Sequence, residues 1–356
     1  MMLGIEVDRH ASEIETAIAA FHPERFGCRP WHDGWVVGLD GIGTVALGTL
    51  SWQHARAVAA TSGDRSPSAL HHLVELQGRV WGMPPEEVVP VNLLAVIEAT
   101  GGSVLVAFQP NLGFTDDGWL GFALAMGSRS GSLVAHMMAV REDVRGSGSL
   151  GWLLKIVQAY EALRTGHTAA AWTFDPMRGA NARLNIEKLG AKISEFTLDK
   201  YGALRSALYG DVPSDRFTAD WDLIDPATAE RISAVAKGHY AGPGIAEVAD
   251  LPEVTIHNLH QVIAAETPRL RYRIPRNIDE LGRRQPEEAI QWRREMRQVF
   301  GRLLLTKSAR IREHRFDPFA VSVRQQPGGY EIDGFATGFN AANERISFYL
   351  LRRQAP

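Results

Sequence analysis

Met138-Ala139-Val140-Arg141-Glu142-Asp143-Val144-Arg145-Gly146-Ser147-Gly148-Ser149-Leu150-Gly151-Trp152 is the stretch on which the reading of this chain turns. Its first residues close an apolar run, Leu133 to Val140, that reads as a strand. Its last residue opens a helix in which Trp152, Leu153, Ile156, Val157, Tyr160 and Leu163 share one face. A glycine-rich connection between a strand and a helix points backbone amides, and the positive end of the helix dipole, at whatever lies above it. Glycine lets a phosphate come close where a side chain would hold it off. The segment Arg145, Gly146, Ser147, Gly148, Ser149, Leu150 and Gly151 is therefore expected to bind a pyrophosphate.

Two ligand classes fit such a loop. Gly146, Gly148 and Gly151 satisfy the GxGxxG spacing of a dinucleotide site, and Asp175 ends the following strand where a ribose-binding acid would sit. In a dinucleotide fold, however, the first glycine closes the strand almost at once, whereas Arg141 to Arg145 intervene here. The strands upstream also read as an antiparallel meander. An NAD(P)-dependent oxidoreductase is thus the rival reading.

Outward from the loop, Ser103–Phe108, Trp119–Met126 and Leu133–Val140 read as strands, preceded by helices from Ala69 (Leu70, Leu73, Leu76, Val80) and over Val91–Thr100, the latter closed by Gly101-Gly102. Downstream come a strand at Ala169–Phe174, a helix over Arg178–Leu189 stopped by Gly190, and strands at Lys192–Leu198 and Phe217–Leu223. Antiparallel strands, then a strand–helix–strand crossover, then more strands predict a mixed α/β sheet with helices on its faces. Before this core, Ile14, Ala17, Ile18 and Phe21 suggest a short helix, Trp35–Val37 and Gly41–Leu50 suggest strands, and Thr61–Ser68 reads as a linker. After it, an amphipathic helix from Asp279 to Leu305, interrupted by Pro286, precedes strands at Tyr330–Ala336 and Ile346–Leu351. The expected division is residues 1–65 as an N-terminal extension, 66–225 as the core and 226–356 as a C-terminal extension. The sequence contains no internal repeat.

Composition narrows the function classes. With 356 residues, 45% hydrophobic and 22% charged, the chain has the make-up of a folded protein. Its single cysteine, Cys28, rules out a disulfide framework within one chain and fits a reducing, cytoplasmic compartment. The N-terminus lacks a basic cluster ahead of an apolar run, and no stretch is apolar enough to span a membrane. Net charge is −3, yet residues 269–315 carry fourteen Arg or Lys against six Asp or Glu. Without interleaved aromatics, that patch points away from nucleic acid and toward a solvated face. His71-His72 and His257 with His260 lack further ligands at metal spacing, so no metal is expected.

Met138-Ala139-Val140 followed by Val144-Arg145-Gly146-Ser147-Gly148 resembles the fourth strand and pyrophosphate loop of the GNAT acetyltransferase superfamily. Asn181-Ala182-Arg183-Leu184-Asn185-Ile186-Glu187-Lys188-Leu189-Gly190-Ala191 is similar to its later helix motif. Val80-Trp81-Gly82, Val88-Val89-Pro90, His136-Met137, Trp172-Thr173-Phe174-Asp175-Pro176, Tyr201-Gly202, Pro213-Ser214-Asp215-Arg216, Ile274-Pro275 and Trp292-Arg293 resemble one branch of it, the uncharacterised predicted acetyltransferases. The resemblance covers about residues 70 to 352. The chain departs from the pattern at Leu150, where the family has a small residue, and at Ile186, where many members have the tyrosine that serves as general acid.

The resemblance implies a GNAT-like acyltransferase core whose fourth and fifth strands part to admit the pantetheine arm of an acyl-coenzyme A, acetyl-CoA or a longer acyl-CoA. Backbone groups of Met138 and Val140 would hold that arm, the loop amides the pyrophosphate, and Asn181 or Asn185 the amide or thiol end. Acyl transfer then needs a base for the amine, a polarised thioester carbonyl and a proton for the leaving thiolate. His136 reads as base or proton relay, or as a histidine satisfied within the sheet. Asp175 reads as a group that orients or deprotonates the amine, or as a turn or cap, and Tyr201 as a replacement acid or a packing aromatic. These three are expected to line one cavity. Arg178 and Arg216 read as grips on a substrate carboxylate or coenzyme phosphate, or as ion-pair partners. The function expected is N-acyl transfer to a small amine or amino-acid-like acceptor, with the C-terminal extension shaping the acceptor pocket or a homodimer interface. The third alternative is a GNAT-like binding module without catalysis.

Overall fold

The computed structural model describes residues 2–49, 69–112, 117–128, 131–147, 149–201, 214–304 and 329–354. The linker read at Thr61–Ser68 and the loop glycine Gly148 lie outside them. The chain divides into two compact units, one of residues 1–171 and 222–236, the other of 172–221 and 237–356.

The first unit is built on β1 (Arg29–Trp31), β2 (Gly34–Leu39), β3 (Gly43–Thr49), β4 (Ser103–Phe108), β5 (Trp119–Gly127), β6 (Ser132–Val140) and the start of β7 (Ala169–Phe174), hydrogen-bonded in that order. Every pair from β1 to β6 is antiparallel, and β6–β7 is parallel. The N-terminal stretch is therefore part of the sheet, since β3 pairs with β4.

Helices cover both faces, which is why β4 and β5 read as nearly continuous apolar runs. Alternation sends Val104, Val106 and Phe108 to one face, where they meet Leu70, Leu73, Leu94 and Ile97 of the helices Ala69–Trp81 and Val91–Ile97. Leu105 and Ala107 go to the other face, against Leu150, Leu153, Leu154 and Val157 of the helix Leu150–Arg164. Buried Gln77 secures the connection between the helices Ala69–Trp81 and Val91–Ile97, donating to Val89 O at 3.1 Å and accepting from Val89 N at 2.7 Å.

The second unit holds the end of β7, a four-residue helix (Gly179–Ala182) that continues as a π-helical segment (Arg183–Lys188), β8 (Lys192–Thr197) and β9 (Arg216–Asp222), in the order β7-β9-β8. A three-stranded sheet follows, β10 (Arg269–Ile274), β11 (Tyr330–Phe339) and β12 (Arg345–Arg353), in the order β10-β12-β11. In each of these two sets of strands the last in sequence lies in the middle. Buried Phe196, Phe217, Phe300 and Tyr349 form one aromatic cluster, with ring centroids 5.2 to 5.8 Å apart in the contacting pairs.

The amphipathic segment expected as one interrupted helix is two. Asn277 caps the helix Ile278–Arg284, accepting from Asp279 N and Glu280 N, and Pro286 then occupies the first turn of a second helix, Pro286–Leu303. Proline lacks the N–H that a continuous helix would need there, and its ring fits a helix start.

Candidate functional site

In the first unit the candidate features lie on β6 and the connection that follows it. The β6–β7 ladder contains only Ser132↔Ala169, Leu133↔Ala170 and Val134↔Ala171. Beyond Val134, Ala135 and Met137–Val140 pair with β5 and, among the described residues, with no other strand. Arg141 N donates to Leu120 O at 2.8 Å, which directs residue 141 toward β5. Backbone groups alternate along a strand, so those of Val140 and Met138 point to the open side. An unpaired strand edge presents donors and acceptors to any extended chain that carries amides.

His136 occupies a bulge on this strand. Leu124 faces Met137 and Ala125 faces Ala135, leaving His136 as the extra residue. Its side chain is exposed. The sheet beneath it still withdraws enough water to lower the imidazole below its ordinary 6.5. It is therefore a neutral ring at physiological pH, able to accept a proton.

The glycine-rich connection begins as a 3₁₀ turn, Glu142–Ser147. Arg141 braces it by pairing with Asp143 at 2.7 Å and donating to Asp117 O at 2.6 Å. Arg145 Nε donates to Val140 O at 2.9 Å, tying the turn back to the strand that precedes it. Ser149 is the N-cap, and the helix begins at Leu150, two residues ahead of the apolar stripe that marked it in the sequence. Leu150 is almost wholly buried beside Val140 and Val144. The larger residue there fills the core. A Cβ at Gly151 would lie 3.8 Å from Met138 Cε and Val140 Cγ2, an ordinary contact. The amides of Leu150, Gly151 and Trp152 have no carbonyl four residues earlier within their own helix.

In the second unit the end of β7 is the organising point. Asp175 is buried, and Arg293 grips both its oxygens at 3.1 and 2.8 Å. Burial by itself would push this carboxyl up. Arg293, with Arg216 and Arg178 behind it, reverses that and sets it at about 2. Asp175 Oδ1 also accepts from Met177 N at 2.9 Å. A carboxylate held this firmly is a poor proton acceptor, so the geometry gives Asp175 a pairing role. Arg178 lies between Asp279 at 3.0 Å and Asp175 at 4.0 Å.

Tyr201 is half exposed, with its hydroxyl 2.8 Å from Thr173 Oγ1 on β7 and the Arg216 guanidinium 5.3 Å from its ring centroid. Arg216 itself is buried and donates to Asp215 O at 2.9 Å. Asp175, Arg178, Tyr201 and Arg216 are thus brought together. Asn181 lies in the helix Gly179–Ala182, and Asn185, only 3% exposed, lies on the π-helical segment that follows. Such windings concentrate at functional sites.

No protein-family model matches the chain, and no curated protein matches it. Solved acetyltransferase structures are similar to it. IAA acetyltransferase from Bacillus cereus aligns over 50% of this chain and 99% of its own, at 14% identity and a TM-score of 0.34. The ribosomal-protein-S18-alanine N-acetyltransferase from Escherichia coli aligns over 50% and 94%, at 14% identity and 0.36. Another is yncA from Salmonella typhimurium, with its cofactor acetyl-CoA, over 50% and 94%, at 15% identity and 0.36.

Thr173, Arg293 and Arg297 had no role assigned from sequence. Trp172-Thr173-Phe174-Asp175-Pro176 and Trp292-Arg293 stood out as motifs, but nothing in the residues says that the second motif supplies the counter-charge of the first across 118 positions. Among the described residues no group of three His, Cys, Asp or Glu could hold a metal ion, and no helix is long and apolar enough to cross a membrane.

Proposed function

We propose that this chain is an acyl-CoA-dependent N-acyltransferase of the GNAT type that transfers its acyl group directly to a small amine or amino-acid-like acceptor. The observation that carries the reading is the pairing of β6 with β7 over Ser132–Val134 alone among the described residues, on a strand that is followed in sequence by the helix Leu150–Arg164. An acyl-CoA has the matching order of groups, with pantetheine amides for the strand edge and a pyrophosphate for the helix start.

In this reading the backbone of Met138 and Val140 holds the pantetheine arm, the loop from Arg145 to Gly151 holds the pyrophosphate, and Asn181 or Asn185 meets the amide or thiol end. The neutral amine attacks the thioester carbonyl while His136 accepts its proton. As the C–S bond breaks, Tyr201 protonates the thiolate, leaving an amide and free coenzyme A. Arg178 and Arg216 recognise an anionic group of the acceptor or of the coenzyme. Asp175 serves by fixing the end of β7, and the C-terminal helix serves by supplying its partner.

The dinucleotide reading requires parallel strands on both sides of the loop, and β5–β6 is antiparallel. A buried lone thiol suits the cytoplasm.

The test is a thermal-shift panel of acetyl-, succinyl- and longer acyl-CoA beside NAD and NADP, followed by free-thiol release with a mixture of amines and amino acids. Stabilisation by acyl-CoA with turnover is expected. Binding without turnover supports the binding module instead, and stabilisation by NAD or NADP alone overturns the proposal.

A further inference from the structure

Pro213-Ser214-Asp215-Arg216 and Tyr201-Gly202 stand out in the sequence, yet the chemistry above uses only Tyr201 and Arg216 from them. The second unit joins the remaining described residues through Arg297. Arg297 lies one helical turn beyond Arg293 on Pro286–Leu303. Its Nε donates to Asp215 Oδ2 at 2.9 Å, and its terminal nitrogen reaches Asp215 Oδ1 at 2.5 Å and Asp199 Oδ1 at 2.8 Å. Asp215 is buried. Its Oδ1 also accepts from Asp199 N at 2.9 Å, and Ser214 N donates to Asp199 Oδ1 at 3.3 Å.

Asp199 has φ +44°, a left-handed conformation that residues with a side chain seldom adopt. Such a backbone persists only where its surroundings over-determine it. Here they do so by bonding both its amide and its carboxylate. The two residues that follow are pinned as well, Lys200 N to Ser214 O at 3.2 Å and Tyr201 N to Ser214 Oγ at 3.0 Å, with Ser214 fully buried. The turn ends with the Tyr201 hydroxyl 2.8 Å from Thr173 Oγ1. A solvated surface turn has no need of a buried serine, a buried carboxylate and a forked guanidinium.

We infer that Arg297, acting through the carboxylates of Asp215 and Asp199, is a positioning residue that holds the Asp199–Tyr201 turn so that the Tyr201 hydroxyl stays at Thr173 as the proton donor. The inference rests on the acyltransferase reading for the donor role. It assigns the C-terminal helix a part in catalysis, because the guanidinium that sets Tyr201 comes from that helix.

The experiment is a double-mutant cycle in the full chain with Arg297→Met, Tyr201→Phe and the pair together, plus Arg297→Lys. Free-thiol release is measured with acetyl-CoA and an amine and amino-acid mixture. Losing a general acid typically slows turnover by about 10²- to 10⁴-fold, so Tyr201→Phe and Arg297→Met should each fall toward the low end of that range in kcat, with donor KM little changed. The double variant should be no slower than Tyr201→Phe alone. A lysine cannot span two carboxylates as the fork does, so Arg297→Lys should recover little. Ring-labelled tyrosine NMR supplies a readout independent of turnover. The resonance lost in Tyr201→Phe should shift and narrow in Arg297→Met, while the thermal midpoint shows that the variant remains folded.

If Arg297→Met slows the Tyr201→Phe enzyme as much as it slows the wild type, or leaves the Tyr201 resonance unmoved, Arg297 does not act through Tyr201. If Tyr201→Phe keeps full activity while acetyl-CoA still binds and turns over, the donor role falls and the acyltransferase reading stands. If wild-type protein neither binds acetyl-CoA nor releases thiol, the acyltransferase reading falls, and the resonance alone decides whether Arg297 fixes the ring.

Discussion

Arg293 and Asp175 form a two-pronged, fully buried ion pair at the end of β7, with oxygen–nitrogen distances of 3.1 and 2.8 Å. Removing one partner of such a pair strands the other charge in the interior, which typically costs about 3–5 kcal/mol. Arg293→Met should therefore lower unfolding stability by about that amount in urea, and Asp175→Asn in the Arg293→Met background should recover part of it. If Arg293→Met is as stable as the wild type, the pair is not what holds this end of β7.

The same carboxylate sets an acid limb to stability. Its folded-state pKa of about 2 lies below the ordinary 3.8, so the unfolded chain binds the proton more tightly. The pair's contribution is complete above about pH 4 and is lost as pH falls toward 2, at about 2 kcal/mol in all. Urea midpoints between pH 5 and pH 2 should drop more steeply for wild type than for Asp175→Asn.

His136 sits on a bulge with its pKa lowered by the sheet. Lowering an imidazole's pKa extends its neutral, proton-accepting form to more acidic solution. If it is the base, kcat/KM should climb from acid pH with a midpoint below 6.5, and His136→Gln should remove that limb along with most of the rate. An unchanged profile in His136→Gln would return His136 to a structural role.

Gly151 lies in the first turn of its helix with room for a methyl group, the nearest atoms being 3.8 Å from the added Cβ. Alanine is favoured over glycine in a helix by up to about 1 kcal/mol. Gly151→Ala should raise the thermal midpoint slightly. A fall in stability would mean that the turn needs glycine's backbone freedom.

Cys28 is the single thiol of the chain and is buried, which pushes its pKa up to about 11. Only the thiolate reacts readily. At pH 8 the native protein should show almost no reaction with a disulfide reagent, rising to one thiol per chain on denaturation. Fast native labelling would contradict the burial of Cys28. The same inertness keeps thiol-release assays free of background from the protein.

What the sequence determined by itself is local. Apolar runs mark β4, β5, β6 and β7 to within a residue or two, because the run is a property of neighbouring positions. The glycines after Val140 mark the strand-to-helix connection, since a backbone that approaches an anion has few alternatives. Pro286 announces a break in the helical pattern. What only the tertiary structure decided is which distant residue supplies each partner. Asp175 stands in the sequence as a bare carboxylate in a cleft-forming strand, equally readable as base or cap. Arg293, distant in sequence, turns it into a counter-ion, because electrostatic partnership depends on separation in space and on burial, neither of which is written along the chain. The bulge at His136 depends on how β6 registers against β5, and the left-handed Asp199 on three groups brought to it by β9 and a C-terminal helix. Residue identity proposes what a side chain can do, and the field and packing around it determine what it does.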